Sequence, residues 1–104
     1  MALNTIEFQC ASKTPATGVP APIHFGVVGS GDLEVLMTPQ DLKGAVKVKV
    51  LTPVSGFDDL WHRVLAAFVE STRLQNVSIE INDNNATPAV VMLRLRQTLT
   101  ESAA

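Results

Sequence analysis

The sequence predicts an α+β fold: a two-layer sandwich of about five mainly antiparallel strands, with two helices packed on one face. Three observations carry that prediction. The run Ala45-Val46-Lys47-Val48-Lys49-Val50-Leu51 alternates apolar and polar residues, the period of a half-buried strand. Leu60, Trp61, Val64, Leu65, Phe68 and Val69 recur at three- and four-residue spacings, the apolar stripe of a helix lying on a sheet. Further short β-prone runs lie on both sides of this helix, and short connections bury all the stripes when the helices share one face.

In chain order, Thr5-Ile6-Glu7-Phe8-Gln9 alternates and reads as a first strand with Ile6 and Phe8 inward. Cys10 falls just beyond it and packs as a small hydrophobe. Residues 11–22 carry Pro15, Gly18, Pro20 and Pro22; prolines remove amide donors and forbid a helix, so a mobile connecting loop is expected. Ile23 to Val28 and Leu33 to Met37 are β-prone runs joined at Gly29-Ser30-Gly31-Asp32, a hairpin with an exposed turn. His24, beside apolar residues, has no second ligand near it in sequence. Another turn spans Thr38 to Gly44. On the strand that follows, Lys47 and Lys49 face solvent and guard against edge pairing.

Asp58 and Asp59 suit the positive end of the first helix dipole, Trp61 anchors that helix on the sheet, and His62 lies one turn from Asp58 as a candidate pair. Val77 to Ile81 alternates as a strand, and Asn82-Asp83-Asn84-Asn85 reads as a turn. Thr87-Pro88 has the form of an N-cap followed by a first helical turn. Ala89 to Leu99 continues with Val91, Met92, Leu95 and Leu99 on one stripe. Leu93-Arg94-Leu95-Arg96 also alternates like a strand; length and the Thr-Pro start decide for the helix. Arg94 and Arg96 lie apart around such a helix, so the two alone form no phosphate clamp. The early strands read as a meander followed by strand-helix-strand-helix. Residues 1–104 form one domain, with 11–22 a loop and 100–104 a frayed tail.

Composition narrows the function classes. A net charge of -2 lacks the basic excess of a nucleic-acid binder, and 5% aromatic residues leave few stacking platforms, so no nucleic-acid partner is expected. With only 17% charged residues, part of the surface is expected to be covered by partners. No apolar run approaches the roughly 20 residues of a membrane span, and no basic region precedes an apolar stretch at the N-terminus. The single cysteine excludes an internal disulfide and fits a reducing compartment, so a cytoplasmic location is expected.

Standard enzyme signatures are thin. There is no Gly-rich phosphate loop with its lysine and no pair of cysteines or histidines at metal spacing. Valine at position 28 breaks the Gly-x-Ser-x-Gly elbow. A triad of Ser30 with His24 or His62 and Asp32 would sit on a hairpin tip, without the enclosed setting in which an oxyanion hole acts strongly. Turn chemistry alone leaves a plain hairpin loop as the default. Glycines on both sides of Ser30, however, tolerate positive φ and strip away the side chains that would shield its hydroxyl. An exposed serine suits being a substrate: a phosphodiester to its oxygen tethers a cofactor, and a tethered thioester visits several active sites at high effective concentration.

Gly26-Val27-Val28-Gly29-Ser30-Gly31-Asp32-Leu33-Glu34-Val35-Leu36 resembles the segment around the modified serine in the acyl carrier subunit family of malonate decarboxylase. Ser78-Ile79-Glu80-Ile81-Asn82-Asp83, followed by Ala86-Thr87-Pro88-Ala89-Val90-Val91, resembles the C-terminal half of that family, with the Trp61 helix between the two. Together these cover Phe25 to Gln97 in the expected order. The resemblance implies that Ser30 carries phosphoribosyl-dephospho-coenzyme A through a phosphodiester, attached by a dedicated prosthetic-group transferase. It implies Gly29, Gly31 and Asp32 as turn and recognition residues. It further implies a non-catalytic carrier whose thiol holds acetyl, which an acyltransferase subunit exchanges for malonyl before carboxylase-like subunits remove carbon dioxide. The carrier subunit of citrate lyase is more distantly similar. Phosphopantetheine carriers differ, with their serine in Asp-Ser-Leu at a helix start. Competing readings are a non-covalent adaptor whose hairpin docks on a larger enzyme, the carrier of a related lyase, and a free-standing serine hydrolase. Asp32 and Glu34 share a strand face, either as a negative patch beside the attachment point or as solvated residues.

Overall fold

The run with the clearest alternation becomes an interior strand. A computed structural model describes residues 3–103. Its elements are β1 (Asn4–Cys10), β2 (Ile23–Gly26), β3 (Asp32–Pro39), β4 (Val46–Thr52), α1 (Asp58–Thr72), β5 (Val77–Asn84) and α2 (Pro88–Ser102). The strands form one sheet in the order β1-β4-β5-β3-β2. Three pairings are antiparallel, β1 with β4, β3 with β5 and β2 with β3, while β4 and β5 are parallel. A parallel pair needs a crossover, and α1 supplies it.

The sheet is thus mixed within the expected α+β class, and the early meander is replaced. β1 and β2 lie at opposite edges, and only the β2–β3 hairpin survives from that expectation. β4 lies between β1 and β5, so Lys47 and Lys49 guard no edge. Lys49 instead stands opposite Glu7 on one side and Glu80 on the other, a charge-alternating row on the face away from the core.

Alternation explains the core. Leu33, Val35 and Met37 of β3, Val46, Val48 and Val50 of β4, and Val77, Ile79 and Ile81 of β5 are all buried. Leu65 and Phe68 of α1 and Leu95 of α2 close over them. A one-residue slip would turn each strand's apolar set to solvent, at about 1.5–3 kcal/mol per fully buried side chain, so the register is strongly specified. α2 packs on β2 and β3, and α1 packs toward β1.

Several local expectations change. His62 does not pair with Asp58; its ring meets Phe8 of β1 edge-on, with centroids 5.0 Å apart and planes at 89°. The apolar ring beneath α1 is the better partner for an imidazole there. Asn82, Asp83 and Asn84 continue β5 instead of forming a turn, which begins at Asn85 with φ 65°. Asp83 can extend the strand because its buried carboxyl is fully engaged. It accepts from Thr52 Oγ1 at 2.8 Å, from the Asn85 N–H at 3.2 Å and from the Ala86 N–H at 3.0 Å. Thr87 caps α2 by accepting from the Val90 N–H at 3.3 Å, with Pro88 at the first position. α2 runs to Ser102, so 100–102 is helical where a frayed tail was expected; Ala104 lies outside the described residues.

Residues 11–22 lack regular structure apart from a bridge between Thr17 and Leu74, yet they are pinned along the end of α1. The Ala16 and Thr17 N–H groups both donate to the Arg73 carbonyl, at 2.8 and 2.9 Å, and the Gln75 N–H returns to the Thr17 carbonyl at 2.8 Å. The Lys13 N–H donates to the Glu70 carboxylate at 2.9 Å, and Arg73 Nε to the Thr14 carbonyl at 2.7 Å. Ser12 and Val19 are buried beneath these bonds.

Candidate functional site

The Ser30 loop owes its shape to the residues at its two feet. Gly26 ends β2 with φ +94°, and a Cβ there would run into the Leu33 carbonyl oxygen. Only glycine fits, and the chain leaves the sheet at this point. Val27 and Val28, expected in the strand, therefore belong to the loop and are 63% and 52% exposed. At the other foot the Gly31 N–H donates to the Asn84 carbonyl at 2.8 Å, and the Asp32 N–H to the Gly29 carbonyl at 3.0 Å. The loop is 27–31: relative to the 29–32 turn expected from the sequence, it takes in Val27 and Val28 and gives up Asp32 to β3.

Of the two glycines beside Ser30, only Gly31 takes a positive φ, +74°. Gly29 therefore contributes space and not a special conformation. A Cβ on Gly31 would meet nothing within 4 Å, and one on Gly29 only Val27 Cγ2 at 3.9 Å. Ser30 is exposed between them. The surroundings leave room for a bulky group on its oxygen.

Asp32 is the first residue of β3 and not a turn residue. Its carboxylate accepts two bonds from Arg94 of α2, Nε at 2.9 Å and Nη2 at 2.7 Å, and a third from the Leu33 N–H at 2.7 Å. Arg94 Nη1 continues to Gln97 Oε1 at 2.9 Å. The Arg94 side chain foremost, with the Leu33 amide, holds the Asp32 carboxyl below its ordinary range, and the same bond pushes the Arg94 guanidinium up. Both side chains keep a fifth to a quarter of their surface in solvent, so the pair acts as a geometric tether more than as a source of stability. Glu34 accepts from Asn82 Nδ2 at 2.6 Å and contacts His24 Nε2 at 2.9 Å. His24, then Asn82, hold its carboxyl below the ordinary range. The two carboxylates thus form neither an open patch nor a merely solvated pair, because each has taken a partner from a neighbouring element.

Sequence reasoning missed Arg94 as part of this site. It stands 62 positions from Asp32, and nothing local marks it. Two expected candidates for a base are occupied elsewhere, His24 with Glu34 and His62 against Phe8. Among the described residues, no group of three or more His, Cys, Asp or Glu side chains is placed to hold a metal ion. Cys10 is buried in the core, where burial pushes its thiol up and leaves it a packing residue.

Beyond Asn84 the chain turns along a cleft of about 190 Å³ between the starts of α1 and α2. Thr52, Asp83 and Asn85 supply its polar wall, and Phe57, Trp61, Ala86 and Val91 are among its apolar lining.

Comparison with known proteins bears directly on this geometry. Residues 21–102 match the model of the malonate decarboxylase delta subunit (MdcD) family of acyl carrier proteins, a span containing the Ser30 loop, Arg94 and the cleft. The chain belongs to the malonate decarboxylase delta subunit family. A malonate decarboxylase acyl carrier protein of Malonomonas rubra is 51% identical over 100 residues, covering 96% of this chain and 89% of that one. One from Stenotrophomonas maltophilia is 38% identical over 95 residues, covering 91% of this chain and 90% of that one. Among solved structures, a chain of a Pseudomonas malonate decarboxylase hetero-tetramer in complex with malonate superposes with a TM-score of 0.74. That chain is 32% identical, with 98% of this chain and 99% of that chain covered. In this chain, then, strands flank the loop that carries the exposed serine, as the two β-prone runs predicted.

Proposed function

We propose that this chain is the acyl carrier subunit of a malonate decarboxylase and that Ser30 is the attachment point of its prosthetic group, phosphoribosyl-dephospho-coenzyme A. The observation that carries the reading is an exposed serine with open space on both sides, on a loop fixed only at its feet, inside the span that matches the family. When bound, the group supplies a thiol that carries acetyl and malonyl units as thioesters. The chain's own residues present and orient. Ser30 offers its hydroxyl oxygen to the modifying transferase, and Gly29 and Gly31 keep the approach clear. Gly26 sets one foot of the loop, and the Asp32–Arg94 pair sets the other against α2.

The chain acts as a carrier and not as a catalyst; both histidines are engaged away from Ser30. Its partners are the acyltransferase and carboxylase-like subunits and the prosthetic-group transferase, in keeping with relatives named as acyl carrier proteins and a structural neighbour within a hetero-tetramer. No helix among the described residues is long and apolar enough to cross a membrane, and a free Cys10 suits a cytoplasmic location.

Replacing Ser30 by alanine tests the reading in the assembled complex. Malonate-dependent acetate release is expected to vanish, while the variant keeps wild-type stability within about 0.5 kcal/mol. Retained turnover contradicts the carrier role and leaves a non-covalent adaptor.

A further inference from the structure

We propose that the cleft between the starts of α1 and α2 is a resting site for the acetyl-thioester end of the arm on Ser30, and that it excludes the malonyl form. This rests on the carrier reading above. Reach comes first. The Gly31 N–H bonds the Asn84 carbonyl, and Asn85, the next residue, lines the cleft. Standard bond lengths through that hydrogen bond limit the Ser30-to-Asn85 Cα separation to about 10 Å. An arm of coenzyme A type is longer than that, so its end reaches the mouth without any change in the fold. Tethering presents the arm at an effective concentration on the order of millimolar, enough for a weak site to hold it part of the time and release it to a partner.

The lining suits a small neutral acyl group. The volume of about 190 Å³ equals about six water molecules' share of the liquid. Phe57, Trp61, Ala86 and Val91 offer apolar surface, and Asp83 needs nothing further because Thr52, Asn85 and Ala86 already satisfy it. Among the described residues the lining includes no lysine, arginine or histidine.

Charge then separates the two cargoes. A malonyl unit brings a carboxylate, and burying it without a cation is costly. The opposing attraction is the partial positive charge, about half an elementary charge, at each of the two helix starts. Asp58 and Asp59 place full negative charges in the first turn of α1. In α2, Thr87 already bonds the Val90 N–H, and Pro88 has no amide hydrogen to offer. With Asp83 already in the wall and no cationic side chain in the lining, a malonyl carboxylate there would stand beside another carboxylate with no counter-charge.

Trp61, the sole tryptophan, reports directly. The full chain is prepared unmodified, and with the prosthetic group loaded with acetyl or with malonyl, each state verified by intact mass. The acetyl form is expected to shift the Trp61 indole N–H resonance and reduce acrylamide quenching, while the malonyl form matches the unmodified chain. Hydroxylamine attack on the acetyl thioester is expected to be about four-fold slower than in Ala86→Leu, the ratio for a cleft occupied three-quarters of the time. Val54→Phe, at the half-buried mouth, replaces Ala86→Leu if that variant does not fold. Unchanged Trp61 signals in a verified acetyl form, or equal responses to both cargoes, overturn the inference and leave the carrier reading intact. Absence of the added mass on Ser30 overturns both.

Discussion

Two stretches without regular structure, 11–22 and 27–31, behave in opposite ways. The first has the prolines and polar residues of a mobile connector, yet its amides and carbonyls bond the end of α1 along much of its length, and Val19 and Ser12 are buried. The second has two valines with high β-propensity, yet between its feet it bonds only to itself and exposes Val27, Val28 and Ser30. Composition states whether a segment can join a helix or a strand. What holds it depends on where its backbone groups find partners, and those partners come from distant parts of the chain. The free loop carries the serine, and the pinned one serves the fold.

The strongest way to break this contrast acts on the feet of the Ser30 loop. Gly26→Ala forces a side chain onto the Leu33 carbonyl at a positive φ and is expected to cost about 2–4 kcal/mol. Gly31→Ala, in open space but at φ +74°, is expected to cost about 1–2 kcal/mol, and Gly29→Ala less than about 0.5 kcal/mol. Urea unfolding midpoints check this order. Equal effects at the three glycines would show that the loop is held along its whole length.

A second comparison sets buried valine against exposed valine. Val19→Ala removes packing from the pinned stretch and is expected to cost about 2 kcal/mol. The double change Val27→Ala with Val28→Ala should stay within about 0.5 kcal/mol by the same unfolding measurement. A large loss from the double change would place those valines in the core.

A smaller effect sharpens the role of Asp32. Its folded-state pKa is depressed, so the stabilisation is fully present above the unfolded value of about 3.9 and is lost as pH falls through the lower folded value. Arg94→Met removes the main cause of that depression. The midpoint difference between wild type and Arg94→Met is expected to hold steady from neutral pH to about 5 and to shrink below about 4. A difference independent of pH would mean that Arg94 acts by packing alone.

Much of the fold was legible because alternation and helical spacing are local signals. The stripes on β4 and α1 and the Thr87-Pro88 start all lie where the sequence places them. Strand order was not, since nothing within Thr5–Gln9 states that it pairs with β4 and leaves β2 at the far edge. Asn82 to Asn84 read as a turn because polar residues favour turns, but Thr52 satisfies Asp83 from the neighbouring strand. The site shows the same division. Ser30 and the glycine beside it at positive φ were visible as a motif, while Arg94, the cleft and the close approach at Gly26 exist only once distant segments meet.

The account turns on Ser30 as the residue that carries the group. Intact mass of the protein from its native source, followed by peptide mapping, addresses that most directly. The expected result is an added mass equal to phosphoribosyl-dephospho-coenzyme A, confined to the peptide containing Gly29-Ser30-Gly31 and absent from the one containing Cys10. An unmodified chain from a source with active malonate decarboxylase, or the mass on any other residue, would contradict it.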